Sequence, residues 1–127
     1  MIEVYTDAAT AGNPGASAAG IYIKEHHQFS KYLGVCSNHE AEFLAVIHAL
    51  LYCKDHFAGE IISIRSDSQL VVRSADAEHC RNPVYSPLLK QILELHGNFS
   101  YVFYKWIPDK DNKHADALAR KELKKNQ

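Results

Sequence analysis

The stretch Ile61-Ile62-Ser63-Ile64-Arg65-Ser66-Asp67-Ser68-Gln69 decides the architecture, because one kind of backbone gives way to another inside it. Ile61, Ile62 and Ile64 make a β-branched run suited to a pleated, buried strand. The run stops at Ser66-Asp67-Ser68, where a Ser or Asp oxygen can accept from the free N–H groups that open a helix through Leu70, Val71 and Val72. A strand thus feeds a helix directly. On the N-terminal side, Gly59 closes the connection from a long helical pattern. Ser37 or Asn38 can cap that helix, Glu40 follows Ser37 at capping-box spacing, and Phe43, Val46, Ile47, Leu50 and Leu51 recur at the helical period. On the C-terminal side, Pro83 and Pro87 bracket a break and Leu88 to Leu95 resumes the helical period. Gly97 halts it before an aromatic strand from Phe99 to Ile107.

The two ends of the chain complete the pattern. Ile2 to Asp7 reads as a short central strand, and Ala11-Gly12-Asn13-Pro14-Gly15 after it is a turn. Ala18 to Lys24 and Phe29 to Val35, joined around His26 and His27, extend this into a three-strand antiparallel meander. At the other end Asn112 opens a helix with Ala115, Leu118, Ala119 and Leu123 on one side. Lys121, Lys124 and Lys125 lie near its C-terminus, where the helix dipole favours them. The order is β-β-β-α-β-α-β-α. Right-handed crossovers make the first, fourth and fifth strands parallel neighbours with the hairpin strands on one edge. The expected class is α/β: one domain over residues 1–127, a five-stranded mixed sheet flanked by helices.

With 127 residues, 46% of them hydrophobic, the chain can bury one continuous core. A formal net charge of −1 excludes a protein that coats nucleic acid through bulk positive potential, so any such contact must be local. Cys36, Cys53 and Cys80 lack the paired spacings of zinc sites or disulfide frameworks. They read as buried thiols of a reducing, cytoplasmic setting. No segment reads as a signal or a membrane span, and a monomer is expected.

Ligands of such sheets gather beyond the carboxyl ends of the parallel strands, where Asp7 and Asp67 end their strands. Glu42 falls in the first turn or two of the long helix and Asp116 in the first turn of the last, so four acids can converge. Clustered carboxylates need protons or hard cations, which points to Mg2+ or Mn2+. Two such ions roughly 3.5–4 Å apart, with substrate bound, would activate a water against a phosphodiester without a protein nucleophile. Taken singly, each acid is more simply a turn or helix-dipole residue, and it is the set of four that points to a site. Glu40 is explained by the capping box, and Asp109 and Asp111 read as solvated loop residues.

In these residues the chain resembles the ribonuclease HI family over nearly its whole length, as a short bacterial-type member. Thr6-Asp7-Ala8 leading to Gly12-Asn13-Pro14-Gly15 is similar to the family's first catalytic strand and turn. Ser37-Asn38-His39-Glu40-Ala41-Glu42 looks like its helix entry, and Ser66-Asp67-Ser68-Gln69 like its third motif. Asn112-Lys113-His114-Ala115-Asp116-Ala117-Leu118-Ala119 resembles its last. The resemblance implies Asp7, Glu42, Asp67 and Asp116 as catalytic metal ligands. It also implies Asn13, Ser37, Asn38 and Gln69 as contacts to an RNA–DNA hybrid whose RNA strand is cut. The 2′-hydroxyl is what separates RNA from DNA at such contacts. Without the family, Asn13 reads as a turn residue, Ser37 and Asn38 as caps and Gln69 as exposed.

The sequence departs from the family in two places. Many members carry a histidine in a glycine-containing loop before the last motif, where this chain has Pro108-Asp109-Lys110-Asp111. Larger members insert a lysine-rich helical protrusion where this chain has only Cys80-Arg81-Asn82-Pro83-Val84-Tyr85. Alternatives that follow are a weakly active or non-catalytic nucleic-acid-binding module on this fold and a DNA-directed nuclease of the same superfamily. A phosphoacceptor signalling domain is a third, and the opening hairpin speaks against it.

Overall fold

The computed structural model describes residues 1–127. Three strands come first, β1 (Ile2–Gly12), β2 (Gly15–Ile23) and β3 (His27–Cys36). They are followed by α1 (Asn38–His56), β4 (Ile61–Ser66), α2 (Gln69–Ala77), α3 (Ser86–Leu95), β5 (Tyr101–Trp106) and α4 (Lys113–Lys125). Short 3-10 turns occupy His96–Asn98 and Asp109–Asp111. The five strands form one sheet in the order β3-β2-β1-β4-β5. β2 is antiparallel to β1 and β3, whereas β4 is parallel to β1 and β5. The expected mixed α/β sheet is present, with the hairpin strands on one edge.

Several expectations need correction. The element order counted one helix between β4 and β5, but the break expected around Pro83 and Pro87 separates two: α2 already stops at Ala77, where Glu78 adopts a left-handed φ of 53°. Helix α3 then begins afresh at Ser86 with Pro87 in its first turn, where a missing N–H costs nothing. β1 also runs past Asp7. Its antiparallel partner β2 stays paired up to Gly12 opposite Gly15, while its parallel partner β4 leaves after Thr6 opposite Ser66. Asp7 therefore ends the parallel pairing rather than the strand, and the turn narrows to Asn13-Pro14. Cys36 and Cys53 are buried thiols, but Cys80 is partly exposed. No helix is long and apolar enough to cross a membrane.

Helix α1 packs on the sheet with one side and on α3 and α2 with the other. It therefore buries more than one stripe: Ala45, Ala49 and Cys53 join Phe43, Val46, Ile47 and Leu50 in the core. Leu51, grouped with them by spacing, is exposed instead. Strand alternation sends Ala19, Ile21 and Ile23 into this core and leaves Gly20 and Tyr22 on the opposite face, where α4 lies.

Gly20 is what lets α4 dock. It sits opposite Asp7 in the β1–β2 register, and a Cβ there would stand 2.1 Å from the Ala115 carbonyl oxygen and 2.6 Å from the Ala119 nitrogen. The helix backbone thus rests directly on the strand, with Ala115, Ala119 and Leu123 buried beneath it. Neither backbone can yield cheaply, so Gly20→Ala is expected to cost about 2 kcal/mol or more of stability. A urea titration reads this as a fall in midpoint at constant slope, and an unchanged midpoint would mean that α4 does not rest there.

Candidate metal centre

Thr6 and Ser66 are paired across the parallel strands β1 and β4, so Asp7 and Asp67 emerge side by side. Several hydrogen bonds fix that exit. The Ile107 N–H donates to the Ser66 carbonyl at 2.9 Å, the Trp106 indole N–H to the Asp67 carbonyl at 3.2 Å, and the Ser68 N–H to Ser66 Oγ at 3.0 Å. Ser68, not Asp67, caps α2 by accepting from the Val71 N–H at 3.3 Å. The Asp67 carboxylate is therefore not consumed as a cap. At α1 the capping box is complete, with Ser37 Oγ accepting from the Glu40 N–H and Glu40 Oε1 from the Ser37 N–H. Glu40 is used up there, and Glu42, two residues on, turns to the strand ends.

Ligand oxygens of Asp7, Glu42 and Asp67 lie within 4.8 Å of one another. Asp116, in the first turn of α4, faces the Asp7 carboxyl and helps to raise it, so Asp7 belongs to both groupings. The four acids singled out in the sequence thus converge. Arg120, one turn further on, donates from Nε to Asp116 Oδ1 at 2.9 Å. Asp7, Ala8, Asp67, Asp109, Asp116 and Arg120 line a cavity of about 240 Å³. A cavity of about 300 Å³ opens at the far end of β5, beside Asp76, Glu78, His96 and Tyr104, and none of the predicted site residues line it.

Burial and mutual repulsion make Asp7, Glu42 and Asp67 hard to ionise. Asp7, only 6% exposed, is pushed up to about 8, chiefly by burial and then by Asp67, although the Ala8 N–H at 2.9 Å works the other way. Glu42 is held well above the usual carboxylate range by burial and then by Asp7. Asp67 is raised to about 6, first by burial and then by contact with Asp109. A nest of oxygen donors that resist carrying their own charge fits a small, hard divalent cation.

Of the expected substrate contacts, three gather at one corner. Asn13 Oδ1 accepts from the Asn38 N–H at 3.0 Å, the Thr10 hydroxyl donates to Asn38 Oδ1, and Ser37 caps the same helix. Gln69 lies apart, beside Val72, Arg73 and Trp106. His114 stacks on Tyr22 and hydrogen-bonds Gln28, directed away from the acids. Asp109, read as a solvated loop residue, is exposed as expected, but it also borders the cavity beside Asp67 and helps to raise that carboxyl. Asn112 was recognisable only as a helix opener. Its amide donates to the Thr6 carbonyl at 2.8 Å, tying the end of β1 to the start of α4, and lies near enough to Asp67 to favour its charged form.

A sheet of this order with acids at its parallel strand ends defines a class. The chain belongs to the RNase H family, whose description matches residues 1–124, and it is a ribonuclease H-type hydrolase. It is 40% identical to the protein named "Putative hydrolase EbsB" of Enterococcus faecalis, across 98% of this chain and 96% of that one. It is 30% identical to the Ribonuclease H of Chlorobium luteolum, with the same two coverages. Among solved structures, LC11-RNase H1 in complex with an RNA/DNA hybrid is similar at a TM-score of 0.88 and 26% identity, over 99% of each chain.

The raised carboxyls set a pH dependence. Folding lifts Asp7 from 3.8 to about 8, so between those values the metal-free folded chain holds more protons than the unfolded one. The contribution of Asp7 to stability is greatest below 3.8 and falls as pH rises toward 8. In EDTA, Asp7→Asn is expected to be more stable than wild type at pH 8, by on the order of 3 kcal/mol, with the gap closing toward pH 4. Urea unfolding across that range checks it, and a pH-independent gap would refute it.

Proposed function

We propose that the chain is a metal-dependent endonuclease that cuts the RNA strand of RNA–DNA hybrids, with Asp7, Glu42, Asp67 and Asp116 as its metal-holding catalytic acids. The carrying observation is the approach of Asp7, Glu42 and Asp67 ligand oxygens to within 4.8 Å at the rim of a parallel strand pair. Asp7 is the shared ligand in this reading, since it touches Asp116 as well as the other two. Two bound Mg2+ or Mn2+ ions would supply a water of lowered pKa and countercharge for the departing 3′ oxygen. No side chain has to act as nucleophile.

The protein's own part is placement. Asn13, Ser37 and Asn38, linked to one another at the hairpin tip and helix start, offer neutral groups to sugar hydroxyls and phosphates. Gln69 offers another from the far side of Asp67. The likeness to an RNase H1 solved with an RNA/DNA hybrid supports this substrate. Residues 1–127 act as one domain and as a monomer in this reading. The three free thiols fit work in the reducing cytoplasm. Without a lysine-rich protrusion few phosphates are neutralised, so affinity is modest and its slope against salt shallow.

A labelled hybrid incubated with protein and Mn2+ or Mg2+ is expected to be cut in its RNA strand, while duplex DNA and duplex RNA stay intact. Asp67→Asn is expected to lower the rate by about 100-fold or more, since losing even a partner behind a metal ligand costs about 10- to 100-fold. Cutting that persists in EDTA, or a wild type no faster than Asp67→Asn, would end this reading.

A further inference from the structure

We propose that Asp109 is a fifth carboxylate of the metal centre, contributing to the cation held by Asp67; this rests on the metal-dependent reading above. Asp109 opens the 3-10 turn Asp109–Asp111, which is closed by the Asp111 N–H on the Pro108 carbonyl at 2.9 Å and the Asn112 N–H on the Asp109 carbonyl at 3.0 Å. Both flanks of the turn are tied to the strand ends that carry the acids. Upstream, Trp106 bonds the Asp67 carbonyl and Ile107 the Ser66 carbonyl. Downstream, Asn112 bonds the Thr6 carbonyl. Asp109 is therefore held against Asp67 by its neighbours, and its carboxyl lines the same cavity as Asp7, Asp67 and Asp116.

The acids lining the cavity and an unpaired buried acceptor both point to a cation on this flank. Asp67 and Asp109 face one small cavity, where two carboxylates repel each other unless positive charge lies between them. Arg120, the one cationic side chain lining the cavity, is engaged with Asp116 on the other flank. Independently, Asn112 is 1% exposed and lies against Asp67, and its Oδ1 has no hydrogen-bond partner. An unpaired buried carbonyl on a residue beside Asp67 lacks a donor. A hydrated divalent cation supplies charge for Asp67 and Asp109 and water O–H donors for such an acceptor. The same turn also offers a control, since Asp111 is equally acidic and exposed but does not line the cavity.

The test is titration of the whole metal-free chain with Mn2+, followed by calorimetry and by the electron paramagnetic resonance signal of free Mn2+. Asp109→Asn is expected to weaken Mn2+ binding by about 10-fold or more, and Asp111→Asn by less than about twofold. The Mn2+ concentration for half-maximal hybrid cutting is expected to rise by the same factor in Asp109→Asn. If Asp109→Asn binds Mn2+ like wild type, or Asp111→Asn weakens binding equally, Asp109 is no ligand and the four-acid reading stands alone. If wild type itself binds no Mn2+, the metal-dependent reading falls and takes this one with it.

Discussion

The structure is organised around a repulsion. Asp7, Glu42 and Asp67 are brought within ligand distance of one another in a partly dry rim, where burial alone opposes their charge. Nothing in the acids favours that gathering, so the backbone must impose it. The parallel register does so: once Thr6 stands opposite Ser66, the next residue on each strand can only emerge beside the other. The apolar cluster of Val4, Ile62, Ile64, Phe43, Val46 and Leu50 behind that register offsets the electrostatic cost. Local stability is given up at the site and recovered in the core, a common trade where a site must be strained or charged.

The fourth acid depends on a different device. Asp116 rides on α4, which lies on the face of the sheet opposite α1, so its reach to Asp7 is set by how closely that helix can approach. Gly20 removes the side chain that would hold the helix off, and it does so opposite Asp7 itself. Asn112 sets the other coordinate by fastening the helix start to the Thr6 carbonyl, one residue before Asp7. A bare strand position and a buried amide thus decide where a carboxylate ends up.

Much of this was legible in the residues because it rests on local chemistry. The isoleucine run ending at Ser66-Asp67-Ser68, the Ser37–Glu40 box and the Asn-Pro turn each act through near neighbours, and all formed where expected. What escaped rests on distant contacts. Asp109 and Asp111 cannot be told apart by composition, since both are acids in one polar loop. The bonds of Trp106, Ile107 and Asn112 to the strand ends determine which of them meets Asp67. Asn112 was visible as the residue before a helix, but its amide serves the Thr6 carbonyl instead of a helix N–H. Leu51 fitted the helical period yet faces solvent, because a helix covered on two sides buries by neighbourhood rather than by stripe.

The same contrast bears on how a chain of net charge −1 could hold a polyanion. Its acids face the place where phosphates would come, so in the proposed reading the attraction has to be borrowed from cations that the acids first capture. The remaining contacts fall to neutral groups, and the corner of Thr10, Asn13, Ser37 and Asn38 has been fixed in advance by its own hydrogen bonds. Groups already ordered lose little freedom when a ligand arrives, which partly compensates for the weak long-range pull of a chain whose charges nearly cancel. Binding and chemistry would then share one dependence, because the cations that balance the acids are also what draws the substrate's phosphates to them.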